Sequence, residues 1–234
     1  MKKINSILIL SVLLFIVTNL NAQEKRVMKV HYKNGSTPTV LVSEIDSITF
    51  AFAAEGEEGV VINGVCWAIR NVDAPGTFAA NPEDAGMFYQ WNRKIGWSTT
   101  DPIINSNGDT KWDASFPQGD SWEKANDPCP PGWRVPIREE QASLITSDTK
   151  WAKLNGVNGR YFGSGEQIVF FPAAGGRNAS DGALFGVGNK GLYWNGTPHN
   201  NDVHKAYDMY FGSGTTYTSD ADRRVCCSIR CVKE

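Results

Sequence analysis

The groups in this 234-residue chain that could do chemistry are five cysteines, three histidines and a loop of oxygen-bearing side chains. Asn105-Ser-Asn107-Gly-Asp109-Thr-Lys-Trp-Asp113 places oxygen donors at alternate positions, as calcium loops do. Its glycine is displaced from the EF-hand position and no bidentate acid follows, so these four residues read as an Asx-rich turn and no metal is assigned. His199 and His204 are five apart, which does not put both on one helical face, and they read as solvated loop residues rather than zinc ligands. Gly186-Val-Gly-Asn-Lys-Gly191 spells G-x-G-x-x-G, a fingerprint that has meaning only between a strand and a helix. Leu192-Tyr-Trp follows it and is strand-like, so the segment reads as a glycine loop. No Gly-x-Ser-x-Gly occurs and no Ser, His and acid set can be singled out. The residues therefore name no catalytic group and no cofactor.

Cys66, Cys129, Cys226, Cys227 and Cys231 take their meaning from the start of the chain. Lys2 and Lys3 precede an apolar run at 7–17, and Ala22 offers a small residue for cleavage, the pattern of a signal peptide over residues 1–22. The run is shorter than the roughly 20 residues of a spanning helix, and no cysteine lies near the cleavage point, so neither a transmembrane segment nor a lipoprotein anchor is expected. Exported cysteines are disulfide candidates before they are metal ligands, and an odd number leaves one free or paired with another chain. Strand alternation would put Cys227 and Cys231 on one side with Cys226 on the other; soft thiolates of that kind suit Cu(I).

The eight tryptophans are mostly scaffold. Trp97 and Trp112 sit among glycine, lysine and acidic residues, and Tyr193-Trp194-Asn195 lies near turn-rich stretches. These five are the candidate ligand residues, because aromatic rings beside amides hold sugars or anchor protein interfaces without a metal. A formal net charge of −2 offers no electrostatic footprint for nucleic acid.

The elements that would position these residues fall into parts. Residues 23–52 read as a small β unit around the Asn34-Gly35 hairpin signal, with a third short strand near 43–50. Residues 53–59, small and acidic, read as a linker. Residues 60–234 are long enough for one domain with a sizeable core. In it, 60–68 reads as an apolar opening strand, 121–126 and 137–144 as two short helices, and 167–171, 191–194, 206–211 and 225–232 as strands. Tyr-Phe-Gly-Ser-Gly occurs at 161–165 and at 210–214, which reads as two strand ends entering similar turns.

Five segments in order carry a resemblance. Trp67-Ala-Ile-Arg-Asn-Val-Asp73, Gly86-Met-Phe-Tyr-Gln-Trp-Asn92, Asp127-Pro-Cys-Pro-Pro-Gly-Trp-Arg-Val-Pro136, Phe171-Pro-Ala-Ala-Gly175 and Ser228-Ile-Arg-Cys-Val232 resemble the Fibrobacter succinogenes major paralogous domain of exported bacterial proteins. Ile137 stands where that family usually has a helix-capping threonine, and Asn195-Gly196 where it tends to have Ser-Ser. The resemblance implies an α+β, C-type-lectin-like domain with two short helices and loop-rich antiparallel sheets. It also implies a Cys129–Cys231 disulfide, and an opening strand beside the closing one, which would pair Cys66 with Cys227 or Cys226. The expected function is that of a non-enzymatic binding or structural protein of the cell surface or periplasm, recognising a glycan or a protein through the loops at 99–118 and 176–204. The alternatives are a fimbrial or adhesin subunit and a copper oxidase of the formylglycine-generating type.

Overall fold

Two exposed Asn-Gly pairs set much of the architecture. Asn63 and Gly64 have φ of 50° and 82°, the left-handed pair that a two-residue hairpin turn demands. The run expected as one opening strand is therefore a hairpin, β3 (Gly59–Ile62) and β4 (Val65–Ala68). Asn155 and Gly156, with φ of 48° and 87°, likewise join β8 (Thr149–Leu154) to β9 (Val157–Ser164).

The computed structural model describes residues 59–234 and, before them, only β1 (Val27–Lys29) and β2 (Thr39–Leu41). The chain divides into two units, Met1–Ala53 and Ala54–Glu234. In the first, β1 and β2 pair antiparallel, Met28 opposite Val40. The signal segment at 1–22, the strand read at 43–50 and linker residues 53–58 lie outside the described residues. No helix among the described residues is long and apolar enough to cross a membrane.

The second unit is built almost wholly of small antiparallel sheets. One has the order β3-β4-β16-β7, with β7 at Trp133–Arg134 and β16 at Val232–Lys233, and Val232 lies between Trp67 and Arg134. A second has the order β10-β9-β8, with β10 at Gln167–Pro172. A third joins β13 (Gly191–Pro198), β14 (Lys205–Phe211) and β15 (Thr216–Asp222). Two-stranded ribbons, β5 (Phe88–Tyr89) with β6 (Gly96–Trp97) and β11 (Gly176–Arg177) with β12 (Leu184–Phe185), complete it.

The α+β, lectin-like expectation with two helices is overturned, because the described residues hold a single α-helix, α1 (Arg138–Ile145), among small antiparallel sheets. At 121–126 only one 3₁₀ turn forms, Lys124–Asn126. Asn92 accepts the Glu123 N–H at 2.8 Å and Trp122 donates its indole N–H to Asn126 O at 3.0 Å, while Pro128 disfavours helix in the residue before it. Too few residues remain to repay helix nucleation. The segment read as a final strand at 225–232 is also different. It is an extended run making isolated bridges, Cys226 with Arg177, Cys227 with Tyr89 and Ser228 with Tyr193, before β16.

α1 begins at Ile137, which has no capping oxygen. Thr197 of β13 supplies it instead, accepting the Arg138 N–H at 3.0 Å, and Glu140 accepts the Ile137 N–H at 2.8 Å. Under the helix, Trp67, Phe162, Phe171, Tyr193 and Phe211 form one apolar cluster with Leu144. Arg230 lies fully buried with its guanidinium 4.3 Å from the Phe171 ring centre. It donates to Asn71 Oδ1, Ala68 O and Phe170 O at 2.9–3.0 Å, and burial without a carboxylate pulls its pKa down to about 10.

Candidate functional site

The five aromatic and amide residues expected at an exposed ligand surface do not form one. Tyr193, Trp194 and Asn195 are completely buried and Trp97 nearly so. The first three have structural partners: the Tyr193 hydroxyl donates to Pro172 O at 2.8 Å, Trp194 Nε1 to Tyr89 O at 2.9 Å and Asn195 Nδ2 to Gln141 Oε1 at 2.8 Å. Trp112, half-buried, packs 4.8 Å from Trp97 and donates its indole N–H to Ala179 O. Trp97, Tyr193 and Trp194 are core, and Trp112 packs partly buried against it.

The oxygen-rich loop is also occupied by its own backbone. Asn105 Oδ1 accepts the N–H groups of Asn107 and Asp109, both at 2.9 Å, and its amide donates to Asp109. Asp113 pairs with Arg93; burial opposes its ionisation, but hydrogen bonds from Ser115 and the Arg93 charge hold its carboxyl below the usual range. Among the described residues no cluster of three metal-ligating side chains occurs.

The cysteines are divided among separate environments. Cys129 and Cys231 form a disulfide. Cys66, Cys226 and Cys227 are free, so the expected bond from Cys66 to Cys226 or Cys227 is absent. The register explains this: Val232, not the 226–227 pair, sits beside β4, opposite Trp67. Cys226 faces Phe88, Trp97 and Ala174, whereas Cys227 packs in the cluster of Tyr89, Trp91 and Trp194. Burial pushes both thiols up, the environment of inert rather than nucleophilic sulfur. The thiols that a copper site would use are thus a disulfide and two sulfurs on opposite sides of one segment.

A surface missed from the sequence is the outer face of β8, β9 and β10. Register puts Lys150 opposite Tyr161 and Tyr161 opposite Phe170, so these three share a side. Most of their neighbours on that face are small, with Ala152 opposite Gly159 and Gly163 opposite the exposed apolar Ile168. Gly163 has φ of 90°, and a Cβ there would sit 1.9 Å from Gln167 O, so no side chain can fill the space. The result is an open groove of about 380 Å³ lined by Asp148, Thr149, Lys150, Ala152, Tyr161, Gly163, Ser164 and Ile168. The Tyr161 ring rests 5.0 Å from Phe170, which braces it from one side.

What sets this groove apart is the state of its polar groups. The side chains of Asp148, Lys150, Tyr161 and Ser164 make no hydrogen bond or ion pair with other described residues. A second groove, of about 270 Å³ beside Trp122 and Ile137, has its charges spent. There Arg134 holds Glu140 in a two-point pair, Lys124 contacts Glu234, and Asp127 accepts the Cys129 and Val135 N–H groups. The sequence signal for the first groove was the alternation of small residues with Lys150 and Tyr161, visible only once the Asn155-Gly156 turn fixes the pairing. No curated protein and no solved structure matches the chain. The segment from α1 through Val232, residues 138–232, which contains the whole groove, matches a family described as a domain of unknown function, DUF8237.

Proposed function

We propose that this chain is an exported, non-enzymatic binding protein of the cell surface or periplasm, and that its ligand surface is the β8–β10 groove. The signal-like start and the five resembling segments support export. The observation that carries the binding reading is the convergence on one open concavity of four side chains with no hydrogen-bond or ion-pair partner among the described residues, Asp148, Lys150, Tyr161 and Ser164, with the Tyr161 ring braced by Phe170. Ligand surfaces combine apolar contact with a few placed polar groups in this way. Arrays of glycans and of extracellular proteins, probed with the purified protein, test it. Tyr161→Ala should weaken binding to the hit at least tenfold, because one well-packed aromatic contact carries about 1–3 kcal/mol. Ile137→Ser, in the second groove, should leave it unchanged. The opposite pattern would move the ligand surface to the second groove.

A further inference from the structure

We infer that the groove takes an internal stretch of a neutral glycan chain and does so without calcium. This rests on the reading of the groove as the ligand surface. Three observations fix the class of ligand. The floor is β9, a central strand whose backbone is paired to β8 on one side and β10 on the other. A peptide strand lying across that floor finds no ladder to extend, the sheet's edges being β8 and β10, so side chains are what the floor offers a ligand. Those side chains are a ring, a hydroxyl, one carboxylate and one ammonium, the set that stacks on the C–H face of a pyranose and hydrogen-bonds its hydroxyls.

Charge supplies the second observation. Asp148 and Lys150 line the same groove and cancel, so an anionic ligand gains from Lys150 what it loses to Asp148. Asp148 is the lone acid in that lining, and a single carboxylate is far from the six to eight oxygens that calcium takes. The third is shape. The groove opens to solvent, and its volume of about 380 Å³ is at the low end of the roughly 300–1,000 Å³ of small-ligand sites, room for about two sugar rings. A chain can therefore enter and leave rather than end in it.

An oligosaccharide array separates this inference from the broader reading. It would carry neutral, uronate-bearing and sulfated oligomers of increasing length beside an array of extracellular proteins, each probed with the intact protein in calcium and in chelator. Expected are neutral hits whose affinity rises at least tenfold from monosaccharide to trimer and is the same in chelator. Titration of a hit should show Tyr161→Ala weakening it at least tenfold, Tyr161→Phe keeping it within about threefold, and Lys150→Ala or Asp148→Asn each reducing it by a few fold. Near-ultraviolet circular dichroism would verify that Tyr161→Ala is folded, and Tyr161→Phe serves as the conservative control. Binding confined to anionic glycans, loss in chelator, or no glycan hit overturns the inference. A protein hit that Tyr161→Ala abolishes, with no glycan hit, overturns the glycan and leaves the groove standing; hits indifferent to Tyr161→Ala overturn both.

Discussion

Asp208 on β14 is only 1% exposed and has no ion-pair partner among the described residues, with only its own backbone and the Ser219 side chain to ease the burial of its carboxylate. Register puts it between Trp194 and Ser219, and it adds a repulsive charge to the Cys227 thiol when ionised. Burial, helped by repulsion from Asp220, pushes its pKa up from 3.8 to about 7. The sign follows from proton counts: between those pH values the folded protein holds a proton that the unfolded chain releases. The group costs nothing below about pH 4, and its full cost, on the order of 4 kcal/mol, is felt above about pH 7. Denaturant melts from pH 5 to pH 8 should therefore show stability falling as pH rises, and Asp208→Asn should flatten that slope and melt higher at pH 8. A slope unchanged by the substitution would mean that another group titrates. The same burial explains why single residues were hard to assign from sequence. Tyr193, Trp194 and Asn195 stand beside turn residues, yet pairing of β13 with β14 and packing of α1 enclose them, whereas Tyr161 carries no local mark of exposure.

Among the elements, α1 depends on another strand for its start. The Ile137 side chain cannot accept a hydrogen bond, and Thr197 reaches across from β13 to take the Arg138 N–H. Thr197→Val should cost about 1 kcal/mol, the usual worth of a cap, and adding Ile137→Thr should restore most of it by providing the cap locally. Urea unfolding of the two variants reads this directly; a silent Thr197→Val would show that water caps the helix equally well. Elements with strong internal patterns are legible in the sequence: the apolar runs at 167–171, 191–194 and 206–211 lie in β10, β13 and β14. Others are legible only through partners. β15 reads Thr-Tyr-Thr-Ser-Asp-Ala-Asp and is a strand because every residue pairs with β14. The hairpin β3–β4 hides its turn inside an apolar run, and the acidic, Trp-containing segment at 121–126 has helix-forming letters without the length to use them.

At the scale of the molecule, the Cys129–Cys231 disulfide spans a separation of 102 residues and fastens the segment entering β7 to the one entering β16. Closing so long a loop restricts the unfolded chain, which the loop-entropy account values at about 4.7 kcal/mol. Replacing both cysteines by alanine should lower the unfolding free energy by that order in guanidinium titrations, while reductant should leave the double variant unaffected. A loss below about 1 kcal/mol would place most of the closure in the β16 pairing itself. That pairing has a consequence in time. Val232 occupies an inner position between β4 and β7, so Trp67, paired early with Val60, must wait for its second neighbour 165 positions later (232 − 67). A chain leaving a ribosome amino end first would therefore emerge with the β16 side of β4 unpaired until Val232 has followed it out. Closure of this sheet is thus deferred until Val232 is free to pair, a long-range step of the kind that slows folding.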